Sequence, residues 1–193
     1  KWRLHPEDVL PLWVAEMDVL PAPGIADELA RITRDGDLGY PVNEPYLEAL
    51  ADFYRECGAD VDPGRMRPVA DVMSGMKAAL AVMTVTVPVY PPFHAVVAEL
   101  GRRLVTVPLT EEGRLDASAL EEAFARDGRG ALMLANPHNP TGVVPTADEL
   151  RAVAEVADRH GVRVVSDEVH APLVLPGASF TPALAVPEAQ GWL

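Results

Sequence analysis

Lysine is nearly absent from this chain: among 193 residues, Lys1 and Lys77 alone carry an ε-amino group. Cysteine is scarcer still. With Cys57 as its one thiol, the chain forms no intrachain disulfide and suits a reducing compartment, so the expected location is cytoplasmic. Basic residues are few, 16 against 29 acidic ones, and the formal net charge of -13 argues against nucleic acid or an anionic membrane surface as a partner. No apolar run approaches the length of a membrane span, and the first residues show no signal-peptide pattern. No G-x-G-x-x-G follows the early strands, which counts against a dinucleotide-binding site, and no cluster suggests a metal. Hydrophobic residues make up 49% of the chain, enough for a sizeable core.

Strands alternating with helices are the dominant pattern. Ala131–Ala135 is a short continuous apolar run of the kind found in parallel strands buried on both faces, and Val162–Val165 is another. Between them, Thr146 and Glu149 form a capping box. Leu150, Val153, Ala154 and Ala157 then recur at helical spacing, and Gly161 supplies the stop. Upstream, Leu104–Pro108 reads as a strand and Asp116 as the cap of a helix carrying Leu120, Ala123 and Phe124. A helix is predicted over Pro45–Cys57, and Val69–Met73 is predicted to lead as a strand into a helix opening at Ser74-Gly75-Met76-Lys77. That helix runs to Met83 and meets a strand at Thr84 with no turn residues between, whereas such connections usually take about 2 to 6. Residues are therefore expected to be missing between Met83 and Thr84.

The chemistry concentrates at predicted strand exits. Asp167 ends a parallel strand, at the sheet edge where ligands of open α/β folds collect, and a carboxylate there can keep a heteroaromatic nitrogen protonated. Alone it could equally cap the next segment. Asn139, rigidly placed between Pro137 and Pro140, and His170, three residues beyond Asp167, could both donate hydrogen bonds to an oxygen on the same ring. Tyr90, in Pro88–Phe93, could lie flat on that ring. Gly75, Met76 and Lys77 could receive a phosphate on backbone N–H groups, although many strand-to-helix turns contain glycine.

Taken together, Asn136-Pro137-His138-Asn139-Pro140-Thr141-Gly142, Ser166-Asp167-Glu168-Val169-His170, Pro88–Phe93, Gly39-Tyr40-Pro41 and Trp13-Val14-Ala15-Glu16-Met17-Asp18 resemble the fold-type I pyridoxal-phosphate enzymes of the class I/II aminotransferase superfamily. The match is specifically to the MalY/PatB branch of cystathionine β-lyases, with Glu16 standing where that branch more often has Asp. The resemblance implies a three-layer α/β/α architecture with a mainly parallel central sheet, incomplete in this chain. Residues 1–45 would form an N-terminal arm and 46–193 the first part of the large cofactor-binding domain. It further implies that Asp167 meets the ring nitrogen of pyridoxal 5′-phosphate, that Asn139 and His170 address its phenolic oxygen, and that Tyr90 stacks on it. Gly75, Met76 and Lys77 would surround the phosphate, joined by Tyr40 reaching across a homodimer with shared active sites. Ala15 and Asn139 would face the amino-acid substrate. The activity implied is C–S β-elimination from cystathionine or a related cysteine conjugate, giving a thiol, pyruvate and ammonia. An amino-acid aminotransferase is the alternative within the same fold, and an inactive cofactor-binding or dimerising module is the alternative outside catalysis. No Ser-x-Ser-Lys segment is present to supply the lysine that such enzymes link covalently to the cofactor.

Overall fold

A computed structural model describes residues 1–14, 16–79 and 83–192. They divide into two compact units, Lys1–Val42 and Asn43–Leu193. The first unit carries one helix, α1 (Pro23–Asp35), opened by Pro23 at its first turn and closed by Gly36 at φ 70°. Apolar and polar residues segregate on α1, yet none of its residues is buried, and Leu20 and Leu38 nearby are also exposed.

The second unit is a parallel α/β layer structure. In chain order it contains α2 (Glu44–Glu56), α3 (Val72–Ala79), β1 (Met83–Val87), α4 (Pro92–Glu99), β2 (Leu104–Pro108), α5 (Ala117–Asp127), β3 (Ala131–Ala135), α6 (Ala147–His160) and β4 (Arg163–Asp167). The four strands lie in the order β2-β1-β3-β4, every pair parallel. Side chains alternate across a strand, so β3 sends Leu132 and Leu134 to one face and Ala131, Met133 and Ala135 to the other. All five are buried because helices cover both faces. On the first face they join Val105, Val107 and Val164 beneath Leu120, Phe124, Leu150 and Val153 of α5 and α6. On the second they join Val85 beneath Met76 of α3 and Phe93, Val96 and Val97 of α4. This is the three-layer α/β/α arrangement expected from the sequence, and the apolar run of β3 is its centre.

Helix ends follow the predicted caps. Thr146 Oγ1 accepts from the Glu149 N–H at 3.2 Å while the Glu149 carboxylate accepts from the Thr146 N–H at 2.7 Å, and Gly161 takes the left-handed conformation at φ 61°. Asp116 accepts from the Ala119 N–H at 3.0 Å to open α5.

Two expectations need correction. Val69–Met73 is not a strand. Asp71 caps the helix instead, accepting from the Ser74 N–H at 2.8 Å and the Ser74 hydroxyl at 3.0 Å, so α3 begins at Val72 and Ser74–Lys77 lie inside it. An Asp at the N-cap satisfies an otherwise orphaned amide, whereas Gly75 offers no such stabilisation. Nor does the helix run to Met83: Met83 already belongs to β1, paired with Leu104. The connection from α3 to β1 falls on residues 80–82, outside the described residues.

Candidate functional site

In a parallel sheet the carboxyl ends of all strands share one edge, and ligands bind there where successive connections leave a strand pair in opposite directions. Here β2 lies to one side of β1 and β3 to the other, so that point falls between β1 and β3. The segments leaving this edge are the Tyr90 turn after β1, the Asn136–Gly142 loop after β3 and Asp167–His170 after β4. Three of the candidate residues, Tyr90, Asn139 and Asp167, are thus delivered to one rim by neighbouring elements.

Asp167 is the last residue of β4 and pairs with Ala135. Its backbone carbonyl accepts from the Asn136 N–H at 2.9 Å, locking the exits of β3 and β4 together. Its Oδ1 accepts from the Val169 N–H at 3.1 Å. Burial pushes its pKa above the ordinary aspartate value; the Val169 N–H and the nearby His170 imidazole pull the other way without cancelling the effect. Among the described residues no Lys or Arg is paired with it. A half-buried carboxylate with so little compensation is costly unless something cationic arrives to meet it.

Asn139 is half-buried, and the loop that carries it is closed by the His138 N–H donating to the Val143 carbonyl and the Gly142 N–H to the His138 carbonyl, both at 2.8 Å. Tyr90 is partly exposed and meets Phe93 edge-on, with 6.2 Å between ring centroids, which leaves a ring face open. His170 is half-buried at the start of a 3-10 turn.

The predicted phosphate contacts fare differently. Met76 is buried in the core, Gly75 gives its N–H to the Asp71 carbonyl, and Lys77 Nζ is 2.5 Å from Glu99 Oε2 on α4. The first amides of α3 belong to Val72, Met73 and Ser74. Tyr40 lies in the first unit with its side chain fully exposed. Ala15 falls outside the described residues.

Sequence reasoning missed a partly buried polar cluster around Glu168. Glu168 accepts from the Ala183 N–H at 2.8 Å, the Ser166 hydroxyl at 3.0 Å, the Tyr54 hydroxyl at 3.0 Å and the Asn136 amide at 3.3 Å. Burial raises its pKa, and those donors only partly offset the shift. Tyr54 is pushed up too, first by burial and then by the negative charge of Glu168. Nearby in sequence, His138 is buried with Nδ1 3.0 Å from Thr141 Oγ1, and burial holds its pKa down, so the ring is neutral. Its Nε2 and the Asn136 Oδ1 have no hydrogen-bond partner among the described residues.

The Glu168 shift carries a pH signature. A carboxyl whose folded pKa lies above the unfolded value binds its proton more tightly when folded. That contribution is complete below the ordinary value of 4.5 and is lost as pH rises through the raised one. Glu168→Gln does not titrate. Its stability relative to the unsubstituted chain is therefore expected to improve between about pH 4 and about pH 7, read as a difference of urea midpoints at the two pH values; a difference that narrows or reverses contradicts the assignment.

Comparison with known proteins adds the family. Residues 67–191 match the family model described as aminotransferase class I and II. The chain belongs to that family. A Mycobacterium leprae protein provisionally named cystathionine β-lyase is 51% identical over 206 aligned positions, covering 98% of this chain and 51% of the relative. Cystathionine β-lyase PatB of Bacillus subtilis is 31% identical, covering 91% of this chain and 48% of PatB. A crystal structure from Corynebacterium diphtheriae, provisionally titled a PLP-dependent β-cystathionase, superposes with a TM-score of 0.90 at 29% identity and covers 98% of this chain and 52% of that one. The chain thus spans about half the length of the curated relatives it matches. The M. leprae match also runs over more positions than the 193 residues present here, so that relative carries residues within the matched span that this chain lacks. No described helix is long and apolar enough to cross a membrane, and the described residues hold no group of three or more His, Cys, Asp or Glu able to bind a metal.

Proposed function

We propose that this chain is the cofactor-gripping portion of a pyridoxal-phosphate-dependent C–S β-lyase acting on cystathionine or a related cysteine conjugate. The observation that carries the reading is Asp167: a half-buried, cation-free carboxylate at the sheet edge, suited to a protonated pyridine nitrogen. The bound cofactor supplies a ring able to take up the negative charge left when a proton departs next to an amino group. The residues of the chain fit their side of that chemistry. Asp167 holds a proton at the ring nitrogen, Asn139 and His170 donate to the phenolic oxygen, and Tyr90 offers an open face for stacking. The phosphate falls to the amino end of α3, at Val72, Met73 and Ser74 as well as Gly75, Met76 and Lys77, where the Asp71 carboxylate must give way to it. In a homodimer, Tyr40 addresses the phosphate of the neighbouring subunit, and Ala15 the amino-acid substrate. A cytoplasmic homodimer with shared sites is in keeping with the unburied apolar residues of the first unit, among them Leu20, Leu38 and Val42.

Relatives named as lyases support elimination over transamination, and a pyruvate assay distinguishes them. The whole protein, loaded with pyridoxal phosphate and given L-cystathionine, is expected to release pyruvate and thiol; amino-group transfer to an added keto acid without pyruvate would make it an aminotransferase. Reading the coding sequence beyond Leu193 bears on the third possibility. A Ser-x-Ser-Lys segment there makes the chain part of an enzyme, and its absence favours an inactive cofactor-binding or dimerising module. Within the chain itself, Lys77 is engaged by Glu99. Because Lys77 lies among the proposed phosphate contacts, borohydride reduction with pyridoxal phosphate followed by peptide mapping is expected to leave it unlabelled; stoichiometric label on Lys77 contradicts this.

A further inference from the structure

Glu168 is an unusual side chain to find below a binding rim. It is a partly buried carboxylate with no Lys or Arg among its hydrogen-bond donors, held by four neutral groups. A carboxylate drawn partly out of water needs its lone pairs satisfied, and here the donors come from four separate parts of the chain. Ser166 belongs to β4, two residues before Glu168. Asn136 leaves β3, Ala183 follows 15 residues later, and Tyr54 reaches in from α2, 114 residues earlier. Asn136 is fixed twice more, by donating its amide to the Thr181 carbonyl at 2.9 Å and its backbone N–H to the Asp167 carbonyl at 2.9 Å. The cluster therefore closes around the backbone of Asp167 without touching its carboxylate.

We propose that Glu168, backed by Tyr54, is a positioning residue: it clamps the exit of β4 to β3, α2 and the 181–183 segment so that the Asp167 carboxylate keeps one orientation at the sheet edge. The value of that orientation rests on the function proposed above, but the clamp is a property of the chain without cofactor. Oε1 gathers the three donors from β4, the β3 exit and Ala183, while Oε2 takes Tyr54 alone. Glutamine reproduces this division, with its carbonyl oxygen keeping the three donors and its NH2 group donating to the Tyr54 oxygen. Alanine leaves every donor empty. A general tertiary staple and a clamp on Asp167 make different predictions at Asp167 and its neighbours.

The test uses the whole protein without cofactor, comparing Glu168→Ala, Glu168→Gln and the unsubstituted form by NMR. Hydrogen exchange is followed at the Val169 and Asn136 amides against Leu132 and Leu134 of β3, and the Asp167 carboxyl carbon is titrated. In Glu168→Ala, protection of Val169 and Asn136 is expected to fall at least ~10-fold relative to the β3 amides, and the Asp167 pKa to move down toward the ordinary aspartate value as water reaches it. In Glu168→Gln both readouts are expected to stay within about 2-fold and near the starting pKa, respectively. Unchanged Asp167 titration in Glu168→Ala, or a loss of protection spread equally over β3, overturns the proposal. If Glu168→Ala does not fold, Tyr54→Phe decides: a smaller shift of Asp167 in the same direction supports the clamp, and none overturns it. A parallel titration with pyridoxal phosphate separates this inference from the functional one. Failure of the unsubstituted whole protein to bind the cofactor refutes the proposed function and leaves the clamp standing, whereas an Asp167 still locked in Glu168→Ala refutes the clamp whatever the cofactor does.

Discussion

Asp167→Ala is expected to weaken binding of pyridoxal phosphate to the chain by about 10- to 100-fold, because a hydrogen bond to a charged partner contributes about 1.5–3 kcal/mol and about 1.4 kcal/mol is tenfold in affinity. Asp167→Asn separates the two parts of that effect. It keeps an oxygen at the end of β4 but no negative charge, so residual binding should favour a neutral ring nitrogen, visible as a changed nitrogen chemical shift in labelled cofactor. The sign of the pH dependence follows from burial. Since the Asp167 carboxyl is raised above its ordinary value, it protonates earlier on acidification than an exposed aspartate, and affinity should fall as pH drops through that raised value. Equal affinity in both variants and the unsubstituted chain, measured by cofactor absorbance and fluorescence quenching, would remove Asp167 from the site.

The largest effect on stability is expected at Leu132→Ala. Leu132 is fully buried in β3, in one core cluster with Val105, Val164, Leu120 and Leu150, and a strand enclosed by helices has little room to collapse around a cavity. Loss of about 2–5 kcal/mol is expected, read from urea unfolding by circular dichroism. Leu29→Ala serves as the contrast. It lies on α1, where no residue is buried, and within the described chain should cost no more than about 0.5 kcal/mol. Comparable losses at both positions would contradict the core described for the second unit.

The residues that were legible in sequence are those whose structure depends on near neighbours. The apolar run Ala131–Ala135 needs only helices on both faces, Thr146 and Glu149 cap each other across three residues, and Gly161 can enter the left-handed region where other residues are strained. The positions of Asp167, Asn139 and Tyr90 at one rim follow from the parallel sheet that alternating strands and helices imply. What was not legible involves distant partners or competing local signals. Val69–Met73 has strand-forming residues, but Asp71, three residues before Ser74, caps a helix that begins at Val72. The expected order of phosphate contacts shifts with it. Glu168 looks in sequence like an ordinary solvated neighbour of Asp167. Its role emerges only when a tyrosine 114 residues away and an amide 15 residues beyond are folded onto it. At the junction before Thr84 the strand boundary moves by one residue, since Met83 pairs with Leu104 and belongs to β1.

A crystal structure of the 193-residue chain with pyridoxal phosphate soaked in tests the central claim most directly. The account predicts the ring between the exits of β1, β3 and β4, its nitrogen within hydrogen-bond distance of the Asp167 carboxylate, its phenolic oxygen at the Asn139 amide and one face against Tyr90. A cofactor bound elsewhere, or bound at this rim with Asp167 and Asn139 unable to reach the same ring, would contradict it.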